Sequence, residues 1–191
     1  MMLINPFMVS PNESYELWFK FDDNLNNSGT LTDYTIDNYN GNYTFSSSNA
    51  NSGKSFVPNN TLIMKFSGAN YPLGSNFYVS FYATWPNPSS VDTRIIESPN
   101  GFTIRKLTDG KIRVSTELDG TLFTTTLSYN DGIMRKFKVS FVAGAVTLYV
   151  NDVAVDTATS VITEYLLDRS ALLILVFAQS GYYDDLIIHR N

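Results

Sequence analysis

The chain has 191 residues, of which 43% are hydrophobic and 14% aromatic, and a formal net charge of −5. Nucleic-acid binding needs a basic surface stripe, so this acidic composition argues against nucleic acid as a ligand. The absence of cysteine excludes disulfides, thiolate metal sites and cysteine nucleophiles. His189 is the only histidine, which excludes a histidine-based catalytic triad or a multi-histidine metal site within one chain.

Residues 1–14 are interpreted as an arm that precedes the folded domain. Its apolar docking candidates are Leu3, Ile4, Phe7 and Met8. Pro6 and Pro11 interrupt any regular element. Such an arm must bury itself, either on its own domain or on another chain, a symmetry mate included. No secretory signal precedes it and no apolar run reaches the ~20 residues that cross a bilayer, so we expect no membrane insertion.

The first half of the domain reads as strands separated by polar loops. Tyr15–Phe21 alternates apolar and polar residues and ends at Asp22-Asp23-Asn24. Residues 24–60 are rich in Asn, Ser, Gly and Tyr, which predicts short strands and long ordered loops. The clearest strand is Asn76–Trp85, whose aromatic and β-branched residues fit a pleated, half-buried surface.

The second half is a run of strand-and-turn units. Turns are predicted at Asp109-Gly110, Asp119-Gly120, Asp131-Gly132 and Asn151-Asp152. Ala171–Ala178 is apolar on both faces and predicts a central strand, Tyr182–Arg190 predicts the last strand, and Val161–Asp168 predicts a short helix. The whole pattern predicts an all-β fold, an antiparallel two-sheet sandwich. Its predicted core contains Phe77, Val79, Phe81, Trp85, Phe137, Val139, Phe141, Leu148 and Val150.

Four segments carry a resemblance to a known fold family. They are Leu17–Asp23, Asn76–Ala83, Phe137–Phe141 with Val146–Asp152, and Tyr183–Ile188. In this order they resemble the laminin-G-like branch of the concanavalin-A-like jelly rolls, and the likeness covers residues 15–191. Asp152 departs from the pattern, because the family usually has glycine there. The resemblance implies that the first and last strands are antiparallel neighbours.

Two aspartate pairs are the candidate metal site. That strand arrangement would bring Asp22 and Asp23 to the same end of the sheet as Asp184 and Asp185, and four close carboxylates repel unless a cation intervenes. Calcium takes about six to eight oxygen ligands, a number that these carboxylates could reach with backbone carbonyls. The alternative is that half of them face water or cap turns. Apart from a structural calcium ion, no cofactor is expected.

Three tyrosines are the candidate ligand-binding residues. Tyr78, Tyr82 and Tyr149 lie on the polar faces of their predicted strands. An aromatic ring with a polar tip suits stacking on a sugar ring. The alternative is that these rings pack against the opposite sheet or under a loop. The sequence therefore predicts a glycan-binding face or a packing role for each tyrosine.

An enzyme of the same fold is the rival interpretation. Laminarinase-type endoglucanases carry Glu-x-Asp-x-x-Glu on one strand, which supplies nucleophile and acid. Glu117 and Asp119 match this pattern, but Leu122 stands where the acid is needed. Without a general acid the leaving group receives no proton. We therefore expect a non-enzymatic protein.

The opening Leu3-Ile4-Asn5-Pro6-Phe7 resembles the start of bacteriophage structural proteins that carry such sandwiches. The resemblance implies a virion component: a fibre, a spike or a capsid decoration. The expected partner is a glycan on a host surface or another virion protein, and homo-oligomerisation stays open. An extracellular location, or a purely structural protein without a ligand, is the alternative.

Overall fold

The computed structural model describes residues 15–31, 34–40, 42–58, 62–67, 70–86, 92–98, 101–167, 174–177 and 181–191. These residues form strands and loops, with no helix among them. In chain order the strands are β1 (Leu17–Phe19), β2 (Thr35–Asn40), β3 (Tyr43–Ser46), β4 (Ser55–Pro58), β5 (Leu62–Ser67), β6 (Tyr71–Gly74), β7 (Asn76–Thr84), β8 (Thr93–Glu97), β9 (Phe102–Lys106), β10 (Ile112–Thr116), β11 (Gly120–Thr124), β12 (Arg135–Val142), β13 (Ala145–Val150), β14 (Val153–Thr159), β15 (Tyr165–Leu167), β16 (Ile174–Phe177) and β17 (Tyr182–Arg190).

Two antiparallel sheets pack face to face. Within the described residues, the first sheet has the order β14-β13-β12-β7-β17-β4-β3, with β1 also paired to β17. The second sheet has the order β11-β10-β9-β8-β16-β5-β2, and β15 and β6 form a small separate ladder. The predicted antiparallel two-sheet sandwich is therefore confirmed.

Alternation along the central strands explains which side chains fill the core. In β7, Phe77, Val79 and Phe81 point inward and are at most 2% exposed. Phe77 stacks on Phe141 of β12 with ring centroids 4.4 Å apart, and Phe102 of the second sheet packs 5.4 Å from Phe77. The nine predicted core residues are all buried. A side-chain period of two thus produces one aromatic core between the sheets.

The hairpins follow the predicted turn chemistry. Asp109-Gly110 joins β9 to β10, and Gly110 has a φ of +82°. Asn151 and Asp152 both have positive φ, 50° and 65°, between β13 and β14. Two consecutive residues of positive φ are the geometry that fits the right-handed twist of a two-residue hairpin. The substitution of Asp152 for the usual glycine therefore preserves the turn.

One expectation is wrong, and two concern residues that lie partly or wholly outside the described ranges. The short helix predicted at Val161–Asp168 is wrong, because β15 pairs there with β6. The strand predicted at Ala171–Ala178 is described only as β16, and β16 is central, between β8 and β5. The arm residues Leu3, Ile4, Phe7 and Met8 lie outside the described residues.

In the described ranges of the chain, no helix is long and apolar enough to span a bilayer.

Candidate functional site

The two aspartate pairs lie at one end of the first sheet. β1 is antiparallel to β17, with Leu17 opposite Ile188 and Phe19 opposite Leu186. The chain that follows β1 therefore meets the beginning of β17, as the resemblance implied. Burial chiefly raises the pKa of Asp185, and the negative charge of Asp22 adds to this shift, so the two segments are within electrostatic reach.

A β-bulge in β17 turns both of its aspartates into the protein. The register with β7 shifts between Asp184, opposite Tyr82, and Ile187, opposite Ser80. Asp185 takes a φ of +47° at this bulge. Bulges of this kind redirect side chains at sheet ends. Asp184 is 0% exposed and Asp185 is 3% exposed as a result.

The loop between β3 and β4 supplies hydrogen-bond donors to the buried carboxylates. Asp184 Oδ2 accepts the backbone N–H groups of Asn51 (2.8 Å) and Ser52 (3.1 Å). Asp185 Oδ2 accepts the amide of Asn51 at 3.0 Å, and its Oδ1 accepts Trp18 Nε1–H at 2.9 Å. The Asp184 Oδ1 atom accepts the backbone N–H of Asp185 at 2.9 Å. The pair thereby anchors the loop over the sheet.

The first aspartate pair holds the end of the same loop. Asp22 Oδ1 accepts the backbone N–H of Lys54 at 2.7 Å, and Asp23 Oδ1 pairs with Lys54 Nζ at 2.6 Å. Gly53 lies between these contacts with a φ of +56°. A Cβ on Gly53 would lie 2.0 Å from Asp22 Oδ1, so only glycine fits against this carboxylate.

Burial shifts the ionisation of the inner pair. Loss of water, followed by the charge of Asp185, raises the pKa of Asp184 to about 7. Loss of water also raises the pKa of Asp185, although the hydrogen bonds from Asn51 and Trp18 oppose this shift. Two buried carboxylates side by side resist holding two negative charges.

The hydrogen bonds that the aspartates already accept indicate whether a cation fits between them. Each carboxylate oxygen of Asp184 and Asp185 already accepts a hydrogen bond, and the Lys54 ammonium supplies the positive charge beside Asp23. In the described part of the chain, no group of three or more acidic or histidine side chains converges as metal ligands. The geometry as it stands fits a loop anchor, and the calcium ion stays a prediction from the sequence.

The outer face of the first sheet carries the tyrosines. Tyr78 of β7 and Tyr149 of β13 are both half-buried, and Lys138 of β12 lies between them. Lys138 Nζ is 4.3 Å from the ring centroid of Tyr78 and 5.9 Å from that of Tyr149. An ammonium between two rings combines apolar surface with a hydrogen-bond donor. The sequence analysis missed Lys138, although its place on the polar face of a strand was readable.

Tyr82 differs from the other two tyrosines. It is 9% exposed, and burial raises its pKa to about 12, with the charges of Asp185, Asp152 and Asp184 adding to the shift. A ring so covered does not offer a stacking surface to a ligand. Tyr82 thus has the packing role that the sequence analysis gave as its alternative.

Trp18 and His189 extend the aromatic surface toward β1. The ring of His189 lies 5.6 Å from that of Tyr78 and 5.7 Å from that of Tyr15, in edge arrangements. Lys20 Nζ lies 4.2 Å above the Trp18 ring. These residues come together only because β1 pairs with β17, so alternation within single strands could not indicate them.

The glucanase-like motif has a structural role. Asp119 lies in the turn before β11, where it accepts hydrogen bonds from Thr116 Oγ1 (2.7 Å) and Ser160 Oγ (2.6 Å). The hydrogen bond from Ser160, followed by that from Thr116, lowers the pKa of Asp119. Leu122, which replaces the required acid, lies on the neighbouring strand. The carboxylate thus ties the turn to the segment after β14.

Comparison with known proteins finds solved structures that are similar to this chain. No family model matches the chain, and no curated protein matches it in sequence. The chain is similar to domain 4 of AbnA, a GH43 extracellular arabinanase from Geobacillus stearothermophilus solved with arabinotriose, with a TM-score of 0.67, 17% identity and 93% of each chain covered. It is also similar to the carbohydrate-binding module CBM66 from Bacillus subtilis, with a TM-score of 0.55, 13% identity and coverage of 81% of this chain and 94% of that one.

A third likeness is to part of a larger domain. The binding domain of botulinum neurotoxin DC, solved in complex with SialylT, matches with a TM-score of 0.65 and 13% identity. The match covers 92% of this chain and 47% of the toxin domain. At such identities the likenesses show the fold alone: the chain is an antiparallel jelly-roll β-sandwich.

Proposed function

We propose that this chain is a non-catalytic glycan-binding module whose ligand lies on the outer face of the first sheet. The observation that carries the proposal is the position of Lys138, 4.3 Å from the Tyr78 ring and 5.9 Å from the Tyr149 ring. A saccharide presents apolar ring faces and hydroxyls. The tyrosine rings match the former, and the ammonium and phenol groups hydrogen-bond to the latter.

Two further points support binding over catalysis. Structurally similar proteins include a carbohydrate-binding module and a domain solved with an oligosaccharide. Asp119 of the incomplete glucanase motif is engaged in turn hydrogen bonds, and no acid occupies position 122. A polysaccharide-cleaving enzyme needs a paired acid and nucleophile, and this motif supplies only part of that pair.

A glycan array followed by calorimetric titration tests the proposal. We expect Tyr149→Ala and Tyr78→Ala to weaken binding of the best array ligand by about tenfold each, which is ~1.4 kcal/mol, because aromatic anchors dominate such contacts. Tyr43→Ala is the matched control, since this half-buried tyrosine lies on β3 at the opposite edge of the same sheet.

Three outcomes would contradict the proposal. The first is an array without a binder, and the second is unchanged affinity in both variants of the tyrosine face. The third is the release of reducing ends from a panel of glucans and galactans, which would establish the enzyme instead.

The biological setting is part of the same proposal. The virion role rests on the likeness of Leu3-Ile4-Asn5-Pro6-Phe7 to phage structural proteins, with an extracellular location as the alternative. In that setting the module presents its sandwich to a host glycan or to another virion protein. Capsid and tail genes beside the gene for this chain would support the virion setting, and their absence would favour the alternative.

A further inference from the structure

Three arginines form a row on the outer face of the second sheet. Arg94 of β8 lies opposite Arg105 of β9, and Arg105 lies opposite Arg113 of β10. All three alternate with buried residues such as Ile104 and Val114, so they point away from the core. The row therefore crosses three adjacent strands at one level of the sheet.

Only two of the three charges have a carboxylate partner. Arg94 pairs with Glu97 at 2.8 Å, and Arg105 makes a two-pronged contact with Asp92 at 2.9 and 3.3 Å. Arg113 Nε donates to Thr124 Oγ1 at 3.3 Å, and in the described ranges no carboxylate lies within ion-pairing distance of its guanidinium. Among the described residues, the row thus keeps one positive charge without a carboxylate partner.

The row places three like charges on adjacent strands, and Glu97 and Asp92 offset two of them. Like charges directly opposite each other across a sheet are destabilising. The chain has 13 basic against 18 acidic residues, and the row nevertheless contains three of the basic ones at adjacent positions. A negatively charged ligand would offset the repulsion, and the planar guanidinium suits a carboxylate because it donates two parallel hydrogen bonds.

A polar pocket adjoins the row. It has a volume of about 280 Å³, and its lining includes Glu97, Thr103, Thr116 and Glu117. Thr103 and Arg105 are two residues apart on the same face of β9, so their Cα atoms are ~7 Å apart along the strand. Glu97 pairs with Arg94 and Thr116 Oγ1 bonds to Asp119, so the pocket offers the Glu117 carboxylate and the Thr103 hydroxyl as acceptors beside the row.

We propose that this face binds a carboxylated saccharide, with the sugar carboxylate on Arg113 and sugar hydroxyls in the neighbouring pocket. The site is separate from the tyrosine face, which lies on the other sheet. Pocket carboxylates accept hydrogen bonds from sugar hydroxyls, whereas they repel a polyphosphate with a charge at every unit. The mixed lining consequently favours an acidic sugar over a nucleic acid.

Titrations of the full chain with matched ligands test this site. The probes are galacturonate with galactose and sialyllactose with lactose, in which each acidic sugar carries one carboxylate, and an oligothymidylate as a non-sugar polyanion. We expect at least one acidic sugar to bind about tenfold or more tightly than its neutral counterpart, as a charge-assisted two-pronged contact provides. We also expect the oligothymidylate to bind more weakly than that sugar.

Variants then locate the contact. Arg113→Gln should weaken acidic-sugar binding by about tenfold, and Arg113→Lys should fall between it and the unchanged chain, because lysine keeps the charge without the planar fork. Lys111→Gln removes the same charge one residue before β10 and should leave the affinity within about twofold. If Arg113→Gln does not fold, the acidic-sugar affinity of Arg113→Lys tests the site in its place.

The opposite results would overturn the site. These are acidic sugars that bind no better than neutral ones, an oligothymidylate that binds equally well, or equal losses in the Arg113 and Lys111 variants. The tyrosine face is assayed separately with the best neutral array ligand. A failure of the tyrosine face is thereby distinguished from a failure of the arginine row.

Discussion

Asp184 combines complete burial with a carboxyl pKa raised to about 7 by loss of water and by the charge of Asp185. In the unfolded chain this carboxyl returns to its ordinary value of 3.8. The folded protein therefore holds a proton between about pH 4 and pH 7 that the unfolded chain has lost. Proton linkage makes the fold most stable below this window and less stable as the pH rises through 7.

The first prediction follows from this loss of stability with rising pH. The melting temperature should fall between pH 5 and pH 8, with a loss on the order of a few kcal/mol in the free energy of unfolding from this pair. Asp184→Asn should flatten the dependence, because the ionising group is gone. Asp156→Asn on β14 makes the same side-chain change away from the buried pair and should retain the slope. Equal slopes in all three proteins would refute the assignment to Asp184.

If calcium binds Asp184 and Asp185, a different pH dependence is expected. A cation would hold Asp184 and Asp185 ionised, so calcium at pH 8 would raise the melting temperature above that in excess chelator, by an amount that grows with the logarithm of free calcium. It would also remove most of the fall between pH 5 and pH 8. If the curves with calcium and with chelator superimpose, the pair acts through its hydrogen bonds alone.

At the scale of single elements, alternation along strands predicted the fold. β7 was predicted at Asn76–Trp85 and observed at Asn76–Thr84, and β17 was predicted with its observed bounds. β15 was missed because Tyr165–Leu167 shows only three residues of alternation and pairs with the distant β6. A period of two is recognisable only over several residues.

The candidate sites were predictable only in part, because they depend on which strands pair and in which register. The meeting of Asp22–Asp23 with Asp184–Asp185 follows from one strand pairing, which the resemblance supplied. Burial of the inner pair could not be predicted, since it depends on the bulge at Asp185 and on the loop that carries Asn51. The arginine row likewise depends on the register of three strands, which single-strand patterns do not contain.

Two hairpin turns flank β13 and allow a paired test at the element scale. Asn151-Asp152 and Ala143-Gly144 both have positive φ at each residue. Asp152→Gly should raise the free energy of unfolding by several tenths of a kcal/mol, because glycine adopts this conformation without steric cost. The exposed ion pair between Asp152 and Lys136 that it removes contributes little.

The opposite change completes the test. Gly144→Ala should lower stability by about 1 kcal/mol, since Gly144 has a φ of +86° and a Cβ there would meet the Ser160 carbonyl oxygen at 3.1 Å. Chemical denaturation of both variants at constant m-value measures the two effects. Shifts of the same sign would show that turn conformation does not determine the stability of this hairpin pair.

At the scale of the whole molecule, the sandwich presents two outer faces with different chemistry. The first sheet offers tyrosines around Lys138, and the second offers arginines beside a polar pocket. Because the two sheets turn these faces in opposite directions, a neutral glycan and an acidic one would not compete. The sandwich could thereby connect two different surfaces without any conformational change.

The arm, residues 1–14, is the segment that we predict to attach such a module. Tyr15, the first described residue after it, contacts Trp18 and His189 at ring distances of 5.5 and 5.7 Å. Burying one apolar side chain of the arm is worth roughly 1.5–3 kcal/mol, and two prolines prevent an isolated element. We therefore predict that the arm docks on a partner chain, which is a symmetry mate or a virion protein.

Deletion of Met1 to Val9 tests the arm. Docking on a partner predicts an unchanged melting temperature of the monomer, lost assembly in sedimentation or capsid-binding assays, and unchanged glycan affinity. The control replaces the apolar Leu3, Ile4, Phe7 and Met8 with serine in the full-length chain, which keeps the length of the arm and should abolish assembly equally. A large loss of monomer stability would instead place the arm on its own sandwich. Altered affinity at the adjacent tyrosine face would then accompany that loss, because the arm would cover or support the residues around His189.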